Sequence, residues 1–147
     1  MAADDSSDWL ELMDQPLSAS AAIKFLSDPA AGAIDIFLGT TRGESGSDGR
    51  QLVALDYEAY GEMARQQFCA LAASARNRWP IRKLVIQHRL GRVAVGEPSV
   101  LIAVSTPHRQ EAFEACRWLI DALKKDVAVW KKEIWGDGST SWVNSGP

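Results

Sequence analysis

The strongest constraint on the fold is the way helical and extended periodicities interleave along the chain. Two long segments carry apolar residues at helical spacing. The first runs from Tyr60 to Trp79, with Tyr60, Ala64, Phe68, Leu71 and Ala75 as its buried stripe, and Pro80 stops it. The second opens at Thr106-Pro107, a threonine N-cap followed by a proline in the first turn, with Phe113, Cys116, Ile120 and Leu123 on its inner face. A shorter helix starts at Pro16-Leu17-Ser18, capped by Ser18, with Ala21, Ala22, Phe25 and Leu26 apolar. Extended runs lie between them: Trp9 to Met13, Ala33 to Thr40, Gln51 to Glu58, Ile81 to Arg89, Ser99 to Ser105 and Trp130 to Trp135. In the run from Gln51, the alternation places Leu52, Ala54 and Asp56 on one face.

This order, β-α-β-β-α-β-β-α-β, lacks a helix between some successive strands, which disfavours a doubly wound parallel sheet. It predicts an α+β fold, a mostly antiparallel sheet packed with two long helices. The Gly/Ser-rich stretch 43–50 between two strand runs predicts a mobile loop closing an antiparallel hairpin of 33–42 with 51–58. At 147 residues the chain has the length of a single domain with a real core. The expected division is a frayed tail over 1–8, the domain over 9–135 and a partly flexible segment over 136–147.

Composition removes several classes of function. There is no apolar run long enough for a transmembrane helix. The acidic, polar first residues do not read as a secretory signal, so the expected location is cytoplasmic. A net charge of −3 argues against general nucleic-acid binding. Two cysteines, Cys69 and Cys116, make neither a disulfide framework nor a zinc site, and both read as core residues. No His/Cys/Asp cluster has metal spacing, so neither metal nor cofactor is expected.

Several short segments can carry chemistry. Gly39-Thr40-Thr41-Arg42 follows a strand, where hydroxyls, backbone amides and a guanidinium can grip an anion; spacing alone favours a turn with a solvated arginine. His108 and Arg109 sit at a helix start, where cations oppose the dipole unless an anion binds or both side chains point into water. His88 reads as a structural histidine within a strand. Lys124-Lys125 suits a helix C-terminus. Lys131-Lys132-Glu133, flanked by Trp130 and Trp135, is either a solvated charge run or a set of desolvated lysines fit for acid, base or nucleophilic work.

Taken in order, these pieces resemble the catalytic (large) subunit of molybdopterin synthase, the MoaE family. The matching text is Ala31-Gly32-Ala33, Phe37-Leu38-Gly39-Thr40-Thr41-Arg42, Leu55-Asp56-Tyr57-Glu58-Ala59-Tyr60, His88-Arg89-Leu90-Gly91, Ser105-Thr106-Pro107-His108-Arg109 and Trp130-Lys131-Lys132-Glu133. Ala128 departs from the pattern, since many relatives place proline there, and a local loop effect is expected. The stretch from Gly136 onward matches poorly.

The resemblance implies an α+β fold with a hammerhead-like α/β portion. It implies conversion of cyclic pyranopterin monophosphate to molybdopterin by insertion of two dithiolene sulfurs. Sulfur arrives as a thiocarboxylate on the C-terminal glycine of a small ubiquitin-like partner subunit. The large subunits form a homodimer within a heterotetramer. Carried over by position, Lys124 and Lys131 are catalytic, and Thr40, Thr41, Arg42, His108, Arg109, Lys132 and Glu133 contact substrate. The alternative class is a non-catalytic module that docks a ubiquitin-like protein or a phosphorylated metabolite. His108 and Lys124 lie at opposite ends of one helix, roughly 24 Å apart at 1.5 Å per residue. The expected site is therefore shared between two copies of the chain.

Overall fold

The computed structural model describes residues 7–143. The elements, in order, are β1 (Asp8–Met13), α1 (Ala19–Leu26), β2 (Ala33–Thr40), β3 (Leu52–Ala59), α2 (Gly61–Arg78), β4 (Lys83–Arg89), β5 (Gly91–Ala94), β6 (Pro98–Thr106), α3 (Arg109–Asp126), β7 (Val129–Trp135) and β8 (Thr140–Trp142). The remainder of the expected tail and of the C-terminal segment lies outside the described residues. Asp8 itself opens β1 and accepts from the Arg76 guanidinium at 2.7 and 3.0 Å, tying β1 to the end of α2.

The strands form two four-stranded sheets, ordered β1-β4-β6-β2 and β5-β3-β7-β8. Every pairing is antiparallel except β1 with β4. The chain is thus α+β, as the element order predicts.

The first sheet is covered on both faces. Leu84, Ile86, Val100, Ile102 and Val104 point into the main core, together with Ala64, Phe68 and Leu71 of α2 and Ala115, Leu119 and Leu123 of α3. The alternate residues Val85, Leu101 and Ala103 point the other way, against Ala22 and Leu26 of α1. Burial on both faces explains why 84–88 and 99–106 read as continuous buried runs rather than alternating ones. Ser18 caps α1, its Oγ accepting from the N–H of Ala21 at 3.1 Å, as its position predicts. Gly32 lies so close to Pro107 that a Cβ would fall 2.4 Å from the Pro107 carbonyl oxygen, which fixes glycine at that position.

Several expectations are corrected. β2 and β3 do not pair with each other: β2 pairs with β6, and β3 with β5 and β7. The Gly/Ser loop instead closes a small hairpin on itself. Ser45 bridges Gln51, Gly46 donates to Arg50, and Gly49 turns the tip at φ +86°. The loop then carries the chain from one sheet to the other. A register shift between Leu52 and Ala54 breaks the expected alternation in β3, so Leu52 faces the same cavity as Leu55 and Tyr57 rather than the side of Ala54 and Asp56.

Thr106 is not the cap of α3. His108 occupies the cap position, and the Thr106 hydroxyl donates to the His108 carbonyl at 2.6 Å. Tyr60 and Phe113, expected in the core, are 64% and 60% exposed: Tyr60 precedes α2 as its extended N-cap, and Phe113 lies off the buried arc of α3. Cys69 is likewise exposed, whereas Cys116 is buried. β5 and β8, absent from the expected order, are short strands whose pairing depends on distant partners.

Candidate active site

The two sheets meet around an open cavity of about 600 Å3. The end of β2 and the turn after it bring Gly39, Thr40, Thr41, Arg42 and Glu44 to this cavity. The last turn of α3 brings Lys124. β7 brings Lys131 and Glu133, two residues apart and therefore on one face of the strand. Across the ladder, Tyr57 stands opposite Lys131 and Leu55 opposite Glu133, so β3 supplies the adjoining wall. β6 completes it with Ser99 and Val100.

The cavity holds few counter-charges close to its cations. Arg42 is 87% exposed in its side chain and makes only a loose ion pair with Glu44 at 3.9 Å, which leaves the guanidinium able to engage an anion. Thr41 is 3% exposed; its backbone is fixed by bonds to Glu97 and Gly96, yet its buried Oγ1 has no protein partner. A buried hydroxyl without a protein partner is an unmet hydrogen-bonding demand in the cavity wall. Burial holds the Lys131 pKa below the ordinary lysine value. The nearby charge of Lys124 adds to this, and Glu133 and Glu44 oppose it.

Behind the cavity, His88 packs edge-on against Tyr57, with ring centroids 4.8 Å apart. Its Nδ1 lies 2.9 Å from the Arg89 carbonyl, which selects the tautomer with the proton on Nδ1. Burial pushes the His88 pKa down to about 4; the bond to Arg89 resists, and Lys131 and Lys124 add to the depression. Burial also raises the Tyr57 phenol, a shift partly offset by a hydrogen bond with Ser99.

Six of the residues singled out in the sequence therefore converge: Thr40, Thr41, Arg42, Lys124, Lys131 and Glu133. Lys132 does not join them. It projects from the opposite face of β7, its Nζ 5.4 Å from the Trp142 ring centre. His108 and Arg109 are also apart, lining a separate cavity of about 520 Å3 with Gly32, Pro107 and Gln110. Tyr57, Ser99 and Glu44 are cavity residues that sequence reasoning missed. Only the β3–β7 register brings Tyr57 to Lys131, and no local pattern encodes that register. Among the described residues, no group of three or more His, Cys, Asp or Glu side chains is placed to hold a metal ion.

Comparison with known proteins gives a consistent result. Residues 12–126 match the family model described as MoaE protein. The chain is 46% identical over 132 residues to the molybdopterin synthase catalytic subunit of Nostoc sp., covering 89% of this chain and 79% of that one. It is 41% identical over 137 residues to the subunit of the same name from Bos taurus, covering 93% and 71%. Among solved structures, molybdopterin synthase from Staphylococcus aureus superposes with a TM-score of 0.84 at 32% identity, covering 91% of this chain and 96% of that one. A Helicobacter pylori complex of subunits 1 and 2 of molybdopterin-converting factor shares the fold, with a TM-score of 0.77 at 22% identity over 94% and 93% of the two chains. With most of its length matched by the family model and by relatives of this similarity, the chain belongs to the MoaE family, the catalytic subunits of molybdopterin synthase.

Proposed function

We propose that the sulfur transfer of this molybdopterin synthase catalytic subunit takes place in the cavity between Lys124 and Lys131. The substrate is cyclic pyranopterin monophosphate, and the sulfur donor is the C-terminal glycine thiocarboxylate of a small ubiquitin-like subunit. The observation that carries this reading is Lys131, desolvated beside Lys124, in the same cavity as Arg42 and the unpartnered Thr41 hydroxyl.

Each group then has a task. Arg42 and Thr41, with Thr40 beside them, bind the phosphate end of the substrate. The two lysines balance the negative thiocarboxylate and move protons as oxygen leaves and sulfur enters. A depressed Lys131 pKa makes the neutral amine more accessible near neutral pH, so this group can both accept and return a proton. Glu133 faces the same space, where it limits how far that pKa falls. The small glycine end of a donor tail suits a polar, open cavity. The protein's own sulfur is poorly placed for the work. Burial raises the Cys116 thiol to about 12, and Cys69 lies on the exposed side of α2; neither lines the cavity.

The active assembly is a homodimer with one small subunit on each large subunit, and its sites combine residues of two copies. Support comes from the separation of His108 and Arg109 from the lysine cavity along the unbroken helix α3. Exposed Ile34 and Leu38, on one face of the edge strand β2, offer an apolar surface for a second copy. The reaction is assigned to the cytoplasm, where a biosynthetic enzyme of this kind would meet a small protein donor. Among the described residues, no helix is long and apolar enough to cross a membrane.

The direct test mixes the chain with a thiocarboxylated small subunit and the pterin precursor and follows dithiolene product. Lys124→Ala should keep its circular dichroism and lose nearly all turnover; near-wild-type turnover would remove Lys124 from the mechanism. Subunit complementation tests the shared site. Arg109→Ala and Lys124→Ala homodimers should each be nearly inactive. A mixed dimer should regain up to about half of wild-type activity, because one site carries both lesions and the other none. Mixed dimers as inactive as their parents would place all these residues within one chain.

A further inference from the structure

Lys124 lies in the last turn of α3 and Lys131 in β7, so the path between them takes in the end of the helix, the two-residue turn Val127-Ala128 and the start of the strand. The path of that crossover sets how far apart the two amines stand. Part of it is held locally. The Val127 N–H donates to the Leu123 carbonyl at 3.1 Å, the Val129 N–H donates to the Val127 carbonyl at 2.8 Å, and both valines are buried.

The middle of the crossover is held from α2. Gln67 Nε2 donates to the Asp126 carbonyl at 2.7 Å, and Gln67 Oε1 accepts from the Ala128 N–H at 2.7 Å. One planar amide thus grips two backbone groups on either side of Val127. The Asp126 carbonyl is among the last four of α3, which have no partner within the helix, and the Ala128 N–H lies beyond the helix end. Because the amide has distinct donor and acceptor ends, the pair of bonds fixes orientation as well as distance. Two turns earlier on α2, the cap residue Tyr60 packs edge-on against Trp130, ring centroids 4.7 Å apart, and steadies the far end of the same crossover.

We propose that Gln67 is a positioning residue for sulfur transfer, clamping the α3–β7 crossover so that Lys124 and Lys131 keep their working separation. The inference rests on the reading that these two lysines act on the substrate. Lys131 is faced by Lys124 from α3, by Tyr57 from β3, by His88 from β4, by Glu44 and Arg42 from the segment after β2, and by Glu133 on its own strand. A loosened crossover lets Lys124 drift and water enter. Both changes relieve the depression of the Lys131 pKa, which then moves up toward the ordinary lysine value.

Gln67→Met keeps the length and helix preference of the side chain and removes both hydrogen bonds. Two readouts are made on the full chain. One is the titration of Lys131, followed by NMR on isotopically labelled lysine and assigned by its loss in Lys131→Arg. The other is kcat and KM for the pterin with the thiocarboxylated subunit. The expected result is unchanged circular dichroism, a raised Lys131 pKa, kcat lower by about ten- to a hundredfold and KM within about twofold. Gln67→Glu keeps the acceptor for Ala128 but turns a carboxylate oxygen against the Asp126 carbonyl, so it should affect both readouts at least as strongly as Gln67→Met. A wild-type Lys131 titration in folded Gln67→Met overturns the clamp whatever the activity, as does a rise in KM with kcat intact. If Gln67→Met does not fold, Gln67→Glu is judged by the same two readouts. An active Lys124→Ala would defeat the catalytic reading, whereas the Lys131 titration tests the clamp independently of it.

Discussion

Acidification should weaken this chain in a window set by His88. The ring is 4% exposed, packed against Tyr57, and its pKa is pushed from 6.5 down to about 4. At pH 7 the ring is neutral in both the folded and the unfolded chain, and the histidine adds almost nothing to the pH dependence. As pH falls through 6.5 the unfolded chain takes up a proton that the folded chain refuses. Stability therefore declines until about pH 4, below which both states are protonated and the loss is complete. A shift of this size corresponds to a loss of about 2 kcal/mol at pH 5 and about 3 kcal/mol at pH 4. That is a large fraction of a typical domain's stability. Asp28, Asp48, Glu97 and Asp137 have lowered pKa values, so acid also removes their stabilisation and the wild-type curve alone is not diagnostic. The assay is urea unfolding of wild type and His88→Gln at pH 7, 5 and 4. The carboxylates are common to both proteins and cancel in the difference. His88→Gln loses a ring contact and starts less stable at pH 7, but the gap should close by about 3 kcal/mol on going to pH 4. A gap that stays constant from pH 7 to pH 4 would refute the burial argument, because it would mean that the folded chain protonates His88 as readily as the unfolded one.

The remaining predictions concern the cavity and the thiols. Arg42→Ala, on a side chain 87% exposed, should leave folding intact and raise the dissociation constant for the pterin phosphate at least about tenfold, as loss of a guanidinium–phosphate contact requires; unchanged affinity by calorimetry would exclude that contact. Cys69→Ala combined with Cys116→Ala should cost about 1 kcal/mol in urea unfolding, nearly all of it from buried Cys116, and should preserve product formation. A folded double variant that accepts the thiocarboxylated subunit but makes no product would overturn the external sulfur donor.

Much of the local structure is legible in the amino-acid order, because the signals that set it are local. The stripe Ala64, Phe68, Leu71 and Ala75 marks one face of α2, Ser18 caps α1, and Pro80 follows the end of α2. The candidate residues Thr40, Thr41, Arg42, Lys124, Lys131 and Glu133 are likewise legible as unusual polar groups at the ends of apolar elements and as a family pattern. What the tertiary structure decides is which of them meet. Lys131 and Lys132 are neighbours in sequence with the same chemistry, yet the pleat of β7 sends one to the cavity and the other to Trp142. Tyr57 becomes a cavity residue because the β3–β7 register sets it opposite Lys131. Gln67, an ordinary polar residue of α2, becomes a clamp because the α3–β7 crossover passes its amide. β2 and β3 look like a hairpin and belong to different sheets: β2 pairs along its whole length with β6, about sixty residues further on, and the short loop that follows it does not set its partner. Helix periodicity is written over a few residues, whereas strand partner and register depend on segments tens of residues away. A strand's face reverses with a one-residue slip, so this information exists only once the whole chain is packed.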